Sequence, residues 1–298
     1  MSAHAPENIL PLEPATRLAP RAERRIGALL LEEGKLDADQ LERVLEAQRA
    51  QGVPFGEAAL QLGYIAASDL RHALARQYHY AYLVPGRAGA SLELVCAYAP
   101  FHRRAEEMRA LRTQLLIHWF RPDAGRKTLA VVSPAVGEGK SYVAANLAVA
   151  FAQLGQPTLL IDADLRTPRQ HRIFGVAGSG GLSALLAGRG EEDATVPVPG
   201  FNTLSLLPAG ALPPNPQELL SRPAFDALLA QMQAQFGVIL IDTPAAQPYA
   251  DAQSIAYRAG DALMVTRKDH TRLAAADKTM RDLTDAGARL VGTVMNAF

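Results

Sequence analysis

The residues Ser133-Pro-Ala-Val-Gly-Glu-Gly-Lys-Ser141 have the types and spacing that bind phosphate. Gly137 and Gly139 let the backbone turn its N–H groups inward onto anionic oxygens. Lys140 can reach the β- and γ-phosphates of a nucleotide, and the Ser141 hydroxyl can join the shell of a Mg²⁺ ion. The apolar run Thr128–Val132 precedes the loop and a helical pattern from Tyr142 to Leu154 follows it. Strand, glycine loop and helix N-terminus in that order form an anion site. Val136, Gly137, Glu138, Gly139, Lys140, Ser141 and Tyr142 are therefore the expected nucleotide contacts. One departure is Pro134, where the general pattern has glycine.

Two further strands end in carboxylates. Leu159-Leu-Ile-Asp-Ala-Asp-Leu-Arg166 carries Asp162 and Asp164, and Val238-Ile-Leu-Ile-Asp-Thr-Pro244 carries Asp242. Unbroken apolar runs are the mark of buried parallel strands, whose C-terminal ends open onto the ligand crevice. Carboxylates gathered there repel one another, and a bound Mg²⁺ is their natural partner. Ser141, Asp162 and Asp242 are the expected metal residues. Lys140, Asp162 and Asp164 are the expected catalytic ones, with Asp164 orienting or deprotonating an attacking hydroxyl. Arg166, Arg169 and Arg172 could contact phosphate, a neighbouring subunit or only solvent.

The order of these motifs resembles the bacterial tyrosine kinases of capsule and exopolysaccharide synthesis, relatives of the ParA/MinD branch of P-loop ATPases. The resemblance runs from about Phe101 to Phe298 and includes the segment Leu207–Leu220. It implies a Mg-ATP-dependent protein tyrosine kinase that regulates exopolysaccharide polymerisation, chain length and export. It also implies a separate transmembrane chain-length regulator as partner, a homo-oligomer, and a cytoplasmic location peripheral to the inner membrane. Glu106, Arg109 and Arg112 match the family's E-x-x-R-x-x-R motif at the subunit contact; a solvated helix face is the alternative. Asn296 stands where the family contacts adenine. The sequence departs from the family in two places. No tyrosine follows Tyr257, whereas these kinases end in a tyrosine-rich tail, and Ala135 replaces the signature lysine of the ParA/MinD loop. An ATP-gated switch without kinase activity is the competing reading.

Upstream lies an internal repeat. Arg25–Gln48 aligns with Pro54–Gln77, pairing Gly27 with Gly56, Gly34 with Gly63, Leu41 with Leu70 and Gln48 with Gln77. Each unit reads as a short helix, a glycine stop, an Asp or Ser cap and a longer amphipathic helix. The repeat resembles the N-terminal domain of type II secretion and pilus-assembly ATPases, some of which bind cyclic di-GMP. That resemblance implies Arg25, Gly27, Gln48, Phe55, Gly56 and Gln77 as ligand contacts, with Pro54 standing where the second unit lacks its arginine. A plain helical docking module is the alternative.

Composition bounds the rest. Lys plus Arg equals Asp plus Glu at 30 each, so no global field favours nucleic acid or an acidic membrane. A single cysteine, Cys96, cannot form an internal disulfide and fits a reducing cytosol. No apolar run approaches the roughly 18–20 residues of a spanning helix, and the N-terminus lacks the charged start of a signal peptide. The expected organisation is a disordered tail over 1–22, a small all-α repeat domain over 23–80, a linker over 81–100 and an α/β P-loop NTPase domain over 101–298. Its largely parallel sheet is expected to be flanked by helices.

Overall fold

The computed structural model describes residues 26–77, 83, 89–178, 180–189 and 194–297. The expected tail, Arg25 and much of the expected linker lie outside these residues. The chain divides into two compact units, residues 1–80 and 81–298.

Among the described residues the first unit has four helices, α1 (Ile26–Glu32), α2 (Ala38–Gln51), α3 (Phe55–Gln61) and α4 (Ala67–Gln77). Asp37 caps α2 with a full capping box: its side chain accepts from Gln40 N at 2.7 Å, and Gln40 Oε1 accepts from Asp37 N at 3.1 Å. In the second repeat Asp69 reaches back to the start of α4, accepting from Ala66 N at 3.0 Å. Leu29, Leu30, Val44, Ala58, Ala59 and Ala73 form the core. Gly27 and Gly56 are buried at its centre. A Cβ on Gly27 would lie 2.8 Å from Leu41 Cδ1 and 3.1 Å from the Phe55 ring, and one on Gly56 would lie 2.6 Å from Leu70 Cδ1. The repeat's paired glycines thus face its paired leucines, and close helix packing accounts for both.

The second unit is built on a seven-stranded sheet. Its strands are β1 (Thr128–Val132), β2 (Thr158–Asp162), β3 (Val196–Pro197), β4 (Leu204–Leu207), β5 (Val238–Asp242), β6 (Asp261–Arg267) and β7 (Arg289–Asn296). Their order is β3-β4-β2-β5-β1-β6-β7, and all pairs are parallel except β3 with β4. β1, β2 and β5 are buried along their whole length, as strands covered on both faces must be. Side chains alternate between two cores. Leu129, Val131, Leu160 and Leu240 face one, while Ala130, Val132, Ile161 and Ile241 face the other.

The first core is capped by α5 (Val95–Tyr98), α6 (Arg103–His118) and α7 (Lys140–Ala152). α7 is buried on nearly every side, with Val143 to Ala152 all below the surface. A helix apolar all round belongs inside a protein. α8 (Gln170–Phe174) adds Ile173 and Phe174 to the first core, and the second is covered by α9 (Leu182–Leu186), α10 (Pro216–Leu220), α11 (Pro223–Gln235), α12 (Asp251–Ala259) and α13 (Leu273–Asp285). α10 and α11 are separate helices, broken before Pro223, whose ring suits the first turn of a new helix.

The described part of the expected linker is a packed element. Leu94, Cys96 and Ala97 are fully buried. Asn146 on α7 binds it from both sides, accepting from Cys96 N at 3.0 Å and donating to the Glu93 carbonyl at 2.9 Å. Proline and glycine around a short apolar run suggested a free connection; the buried amide of Asn146 fixes it instead.

Candidate nucleotide and metal site

β1, β2 and β5 lie side by side in the sheet, so their C-terminal ends open at one edge. Asp162 and Asp242 are register partners on neighbouring strands. The loop after β1 leads into α7 at that same edge.

The loop's shape follows from a few residues. Gly137 and Gly139 take φ of 83° and 91°, left-handed values that L side chains rarely adopt. Pro134 is tolerated because the loop's entry is anchored through carbonyls: Ala246 N donates to Ser133 O at 2.9 Å and Gln247 N to Pro134 O at 3.1 Å. Val136 at the loop's crest is 74% exposed. Glu138 is buried, and its carboxylate is turned back into the protein. One oxygen accepts from Ala135 N at 2.8 Å and the other from Thr271 Oγ1 at 2.5 Å. Only its backbone is left for a phosphate. Asn296 also meets the loop, with Nδ2 donating to the Glu138 carbonyl at 2.9 Å.

Lys140 Nζ stands 3.6 Å from Asp164 Oδ2. Asp164 is locked by its own strand end, accepting from Thr167 N at 2.8 Å, Thr167 Oγ1 at 3.0 Å and Arg166 N at 3.1 Å. Asp162 accepts from Gln170 N at 2.9 Å and Arg169 N at 3.1 Å through Oδ2, and from Asp164 N at 3.3 Å through Oδ1. Asp242 accepts from Gln170 Nε2 at 2.8 Å through Oδ2, while its Oδ1 is buried with no hydrogen-bond partner. Burial, then the neighbouring Asp242 charge, pushes the Asp162 carboxyl up to about 8. Burial raises Asp242 as well, against the opposing pull of Lys140. Two buried carboxylates that resist ionisation together, one with an idle oxygen, are groups that a divalent cation would neutralise. Among the described residues no three His, Cys, Asp or Glu converge into a protein-only metal cage. Mg²⁺ takes one or two carboxylates and fills its shell with water and phosphate oxygens.

The structure brings together Lys140, Ser141, Asp162, Asp164 and Asp242. The three arginines after β2 are all engaged within the chain. Arg166 forms a two-pronged pair with Asp251 at 2.5 and 3.2 Å and stacks 3.5 Å from the Tyr249 ring centroid. Arg169 pairs with Glu93 at 2.8 Å, and Arg172 donates to the Pro168 carbonyl at 2.9 Å. Tyr142 turns its ring toward the first core. Sequence reasoning missed Gln170, Asp251 and Thr271, whose contacts reach 29 to 133 residues along the chain and leave no local spacing to read.

On α6, Arg109 binds Glu106 at 2.5 Å and also the Pro100 carbonyl, while Arg112 donates to the Ala150 carbonyl at 2.7 Å. In the first unit, Gly27, Phe55 and Gly56 sit within the packed helices, and Gln48 in the last turn of α2 and Gln77 at the end of α4 are half-buried.

With this geometry in hand, comparison places the chain. A ParA-type family model, described as the NUBPL iron-transfer P-loop NTPase, matches residues 125–298. The tyrosine-protein kinase YwqD of Bacillus subtilis is 35% identical over 197 residues, covering 66% of this chain and 82% of YwqD. The chain belongs to the bacterial tyrosine-protein kinase family of P-loop NTPases. Its fold is similar to the kinase domain of Escherichia coli tyrosine kinase ETK, with TM-score 0.64 and 29% identity over 68% of this chain and 79% of that one. It is also similar to the septum site-determining protein MinD of Pyrococcus horikoshii complexed with Mg-ADP, with TM-score 0.51 and 28% identity over 57% and 70% of the two chains. The chain spans 27% of the length of the two Ralstonia EpsB relatives that it matches.

Proposed function

We propose that this protein is a Mg-ATP-dependent protein tyrosine kinase that regulates exopolysaccharide polymerisation, chain length and export. The observation that carries this reading is the convergence of Lys140, Asp162, Asp164 and Asp242 at one sheet edge beside a glycine loop of phosphate-binding shape. Ser141 and Asp162 would hold Mg²⁺, with Asp242 holding its water shell. The ion would supply charge neutralisation at the phosphate oxygens. Catalysis of this kind rests on positioning and electrostatics. Lys140 stabilises negative charge on the β/γ-phosphates. Asp164, fixed by its contacts to Arg166 and Thr167, accepts the proton of the attacking tyrosine hydroxyl. The tyrosine oxygen bonds to the γ-phosphorus as the bridging P–O bond breaks, and that electron pair leaves with ADP. Glu138 and Asn296 hold the loop in shape, and Asn296 lies on the side proposed for adenine.

The likeness to MinD favours a second reading, an ATP-gated switch in which assembly matters more than phosphotransfer. Incubating the purified protein with labelled ATP, followed by phosphotyrosine mass spectrometry, separates the two. Modified tyrosines on this chain or on a partner protein support the kinase. Hydrolysis of ATP without any modified tyrosine rejects it.

The wider setting is part of the same proposal: a homo-oligomer using Glu106, Arg109 and Arg112, peripheral to the inner membrane through a separate transmembrane chain-length regulator. For the first unit the proposed ligand is cyclic di-GMP, held by Gly27, Gln48, Phe55, Gly56 and Gln77 with Arg25. Calorimetric titration of the full chain tests it: micromolar binding lost in Arg25→Ala supports a sensor. No heat of binding leaves a helical docking module, for which the glycine–leucine packing suffices.

A further inference from the structure

Gln170 is fully buried at the start of α8. Its backbone N–H donates to Asp162 Oδ2 at 2.9 Å. Its side-chain Nε2 donates to Asp242 Oδ2 at 2.8 Å and to the Ser141 carbonyl at 3.1 Å. One residue therefore touches all three residues assigned to the metal site, which come from β2, β5 and the start of α7.

The amide's orientation is dictated by these partners. A carboxylate and a carbonyl only accept, so the NH₂ group must face them. Oε1 then points elsewhere, and it is buried with no hydrogen-bond partner, as is Asp242 Oδ1. Leaving a buried acceptor unmet costs free energy on the order of 1–3 kcal/mol, so such atoms mark a place where a donor is missing. Two idle acceptors on groups already hydrogen-bonded to each other call for the same donor source. Hydrated Mg²⁺ supplies it, because the ion keeps several waters whose protons point outward.

We propose that Gln170 is a positioning residue for Mg²⁺: its NH₂ group fixes Asp242 and the Ser141 backbone, and its Oε1 accepts a hydrogen bond from water on the ion. This rests on the metal-site reading above. The residue does not touch the reacting atoms, and it acts through the residues that hold the ion. Partners of this kind orient metal ligands, and removing one typically lowers metal affinity by about 10- to 100-fold.

The test is ADP binding by calorimetry, with Mg²⁺ and with EDTA, for the wild type and Gln170→Met, alongside thermal unfolding. Methionine keeps the length and apolar body but removes both donor and acceptor. The expected result is that Mg²⁺ strengthens ADP binding in the wild type and that the variant loses about 10-fold or more of this gain. Its affinity in EDTA should match the wild type. A gain retained within twofold overturns the inference. So does a variant that fails to fold or loses metal-free ADP binding equally, since Gln170 is then only a strap between α8 and β5. A wild type with no Mg²⁺-dependent gain rejects the metal-site reading itself, which separates the two failures.

Discussion

A phosphate loop that carries a carboxylate poses an electrostatic problem, because Glu138 would repel the anion that the loop is shaped to hold. The structure resolves it by burying the side chain against Ala135 N and Thr271 Oγ1. The charge then braces the loop from behind, while Lys140 lies 3.6 Å from Asp164 Oδ2. Lys140→Met should lower ATP turnover on the order of 10²-fold or more, the scale seen when one transition-state charge donor is removed. Lys140 is half-buried and its partner Asp164 keeps three other hydrogen bonds, so the fold should survive. Circular dichroism alongside a phosphate-release assay checks both halves, and unchanged turnover would reject the site. Cys96 gives a second measurement at this scale. Burial pushes its thiol up to about 12, whereas an unfolded cysteine titrates near 8.5. The native state thus keeps a proton that the unfolded chain releases between those values, and stability should fall as pH rises through that window. As the thiolate is the nucleophile, alkylation at pH 8.5 should be slow in the native protein and fast in urea. The sequence holds one cysteine, so the modified site is unambiguous. Equal rates in the two states would show that α5 is not packed as described.

At the scale of elements, the glycines of the repeat decide between packing and ligand roles. A side chain at Gly56 must displace Leu70, whose Cδ1 lies 2.6 Å from the nearest Cβ position. Gly56→Val gains a few tenths of a kcal/mol in helix propensity but overpacks the core at a cost of about 1–3 kcal/mol. The net expected loss is about 2 kcal/mol, read as faster hydrogen exchange in α3 and α4 of the full chain. Unchanged exchange would mean that the helices part easily and that the glycine serves something else. What the sequence made legible follows the range of each interaction. β1, β2 and β5 read directly, because burial on both faces leaves a run of apolar residues and ends it at an aspartate. The helical repeat read equally well, since its glycines and leucines recur at one period. β3 did not, because two residues, Val196 and Pro197, carry no period at all. Leu94, Cys96 and Ala97 were lost among prolines and glycines, and Asn146 and Gln153, 50 and 57 residues from Cys96, show where they belong. Lys140, Asp162, Asp164 and Asp242 were visible as strand-end chemistry. Gln170, which binds Asp162 and Asp242, and Asp251 and Thr271, which bind Arg166 and Glu138, were not, because a hydrogen bond across the fold leaves no trace in local spacing.

For the whole molecule, the proposed reading attaches the chain to a membrane through a partner. No helix among the described residues is long and apolar enough to cross a membrane. Balanced charge, 30 basic against 30 acidic residues, provides no polybasic field that would hold the chain on anionic lipid by itself. Membrane association, on the proposed reading, then depends on a protein contact and on the state of the nucleotide site. Linkage requires that contact to be mutual: a partner that prefers the ATP-bound form must raise ATP affinity by the same factor. The expected outcome is sedimentation with membranes from cells containing the chain-length regulator, weaker in Lys140→Met, and absent from membranes of a strain lacking the regulator. Binding to protein-free anionic vesicles should be negligible at physiological salt. Equal sedimentation with both membrane preparations, or firm binding to the bare vesicles, would overturn the partner-mediated reading and point to direct lipid attachment.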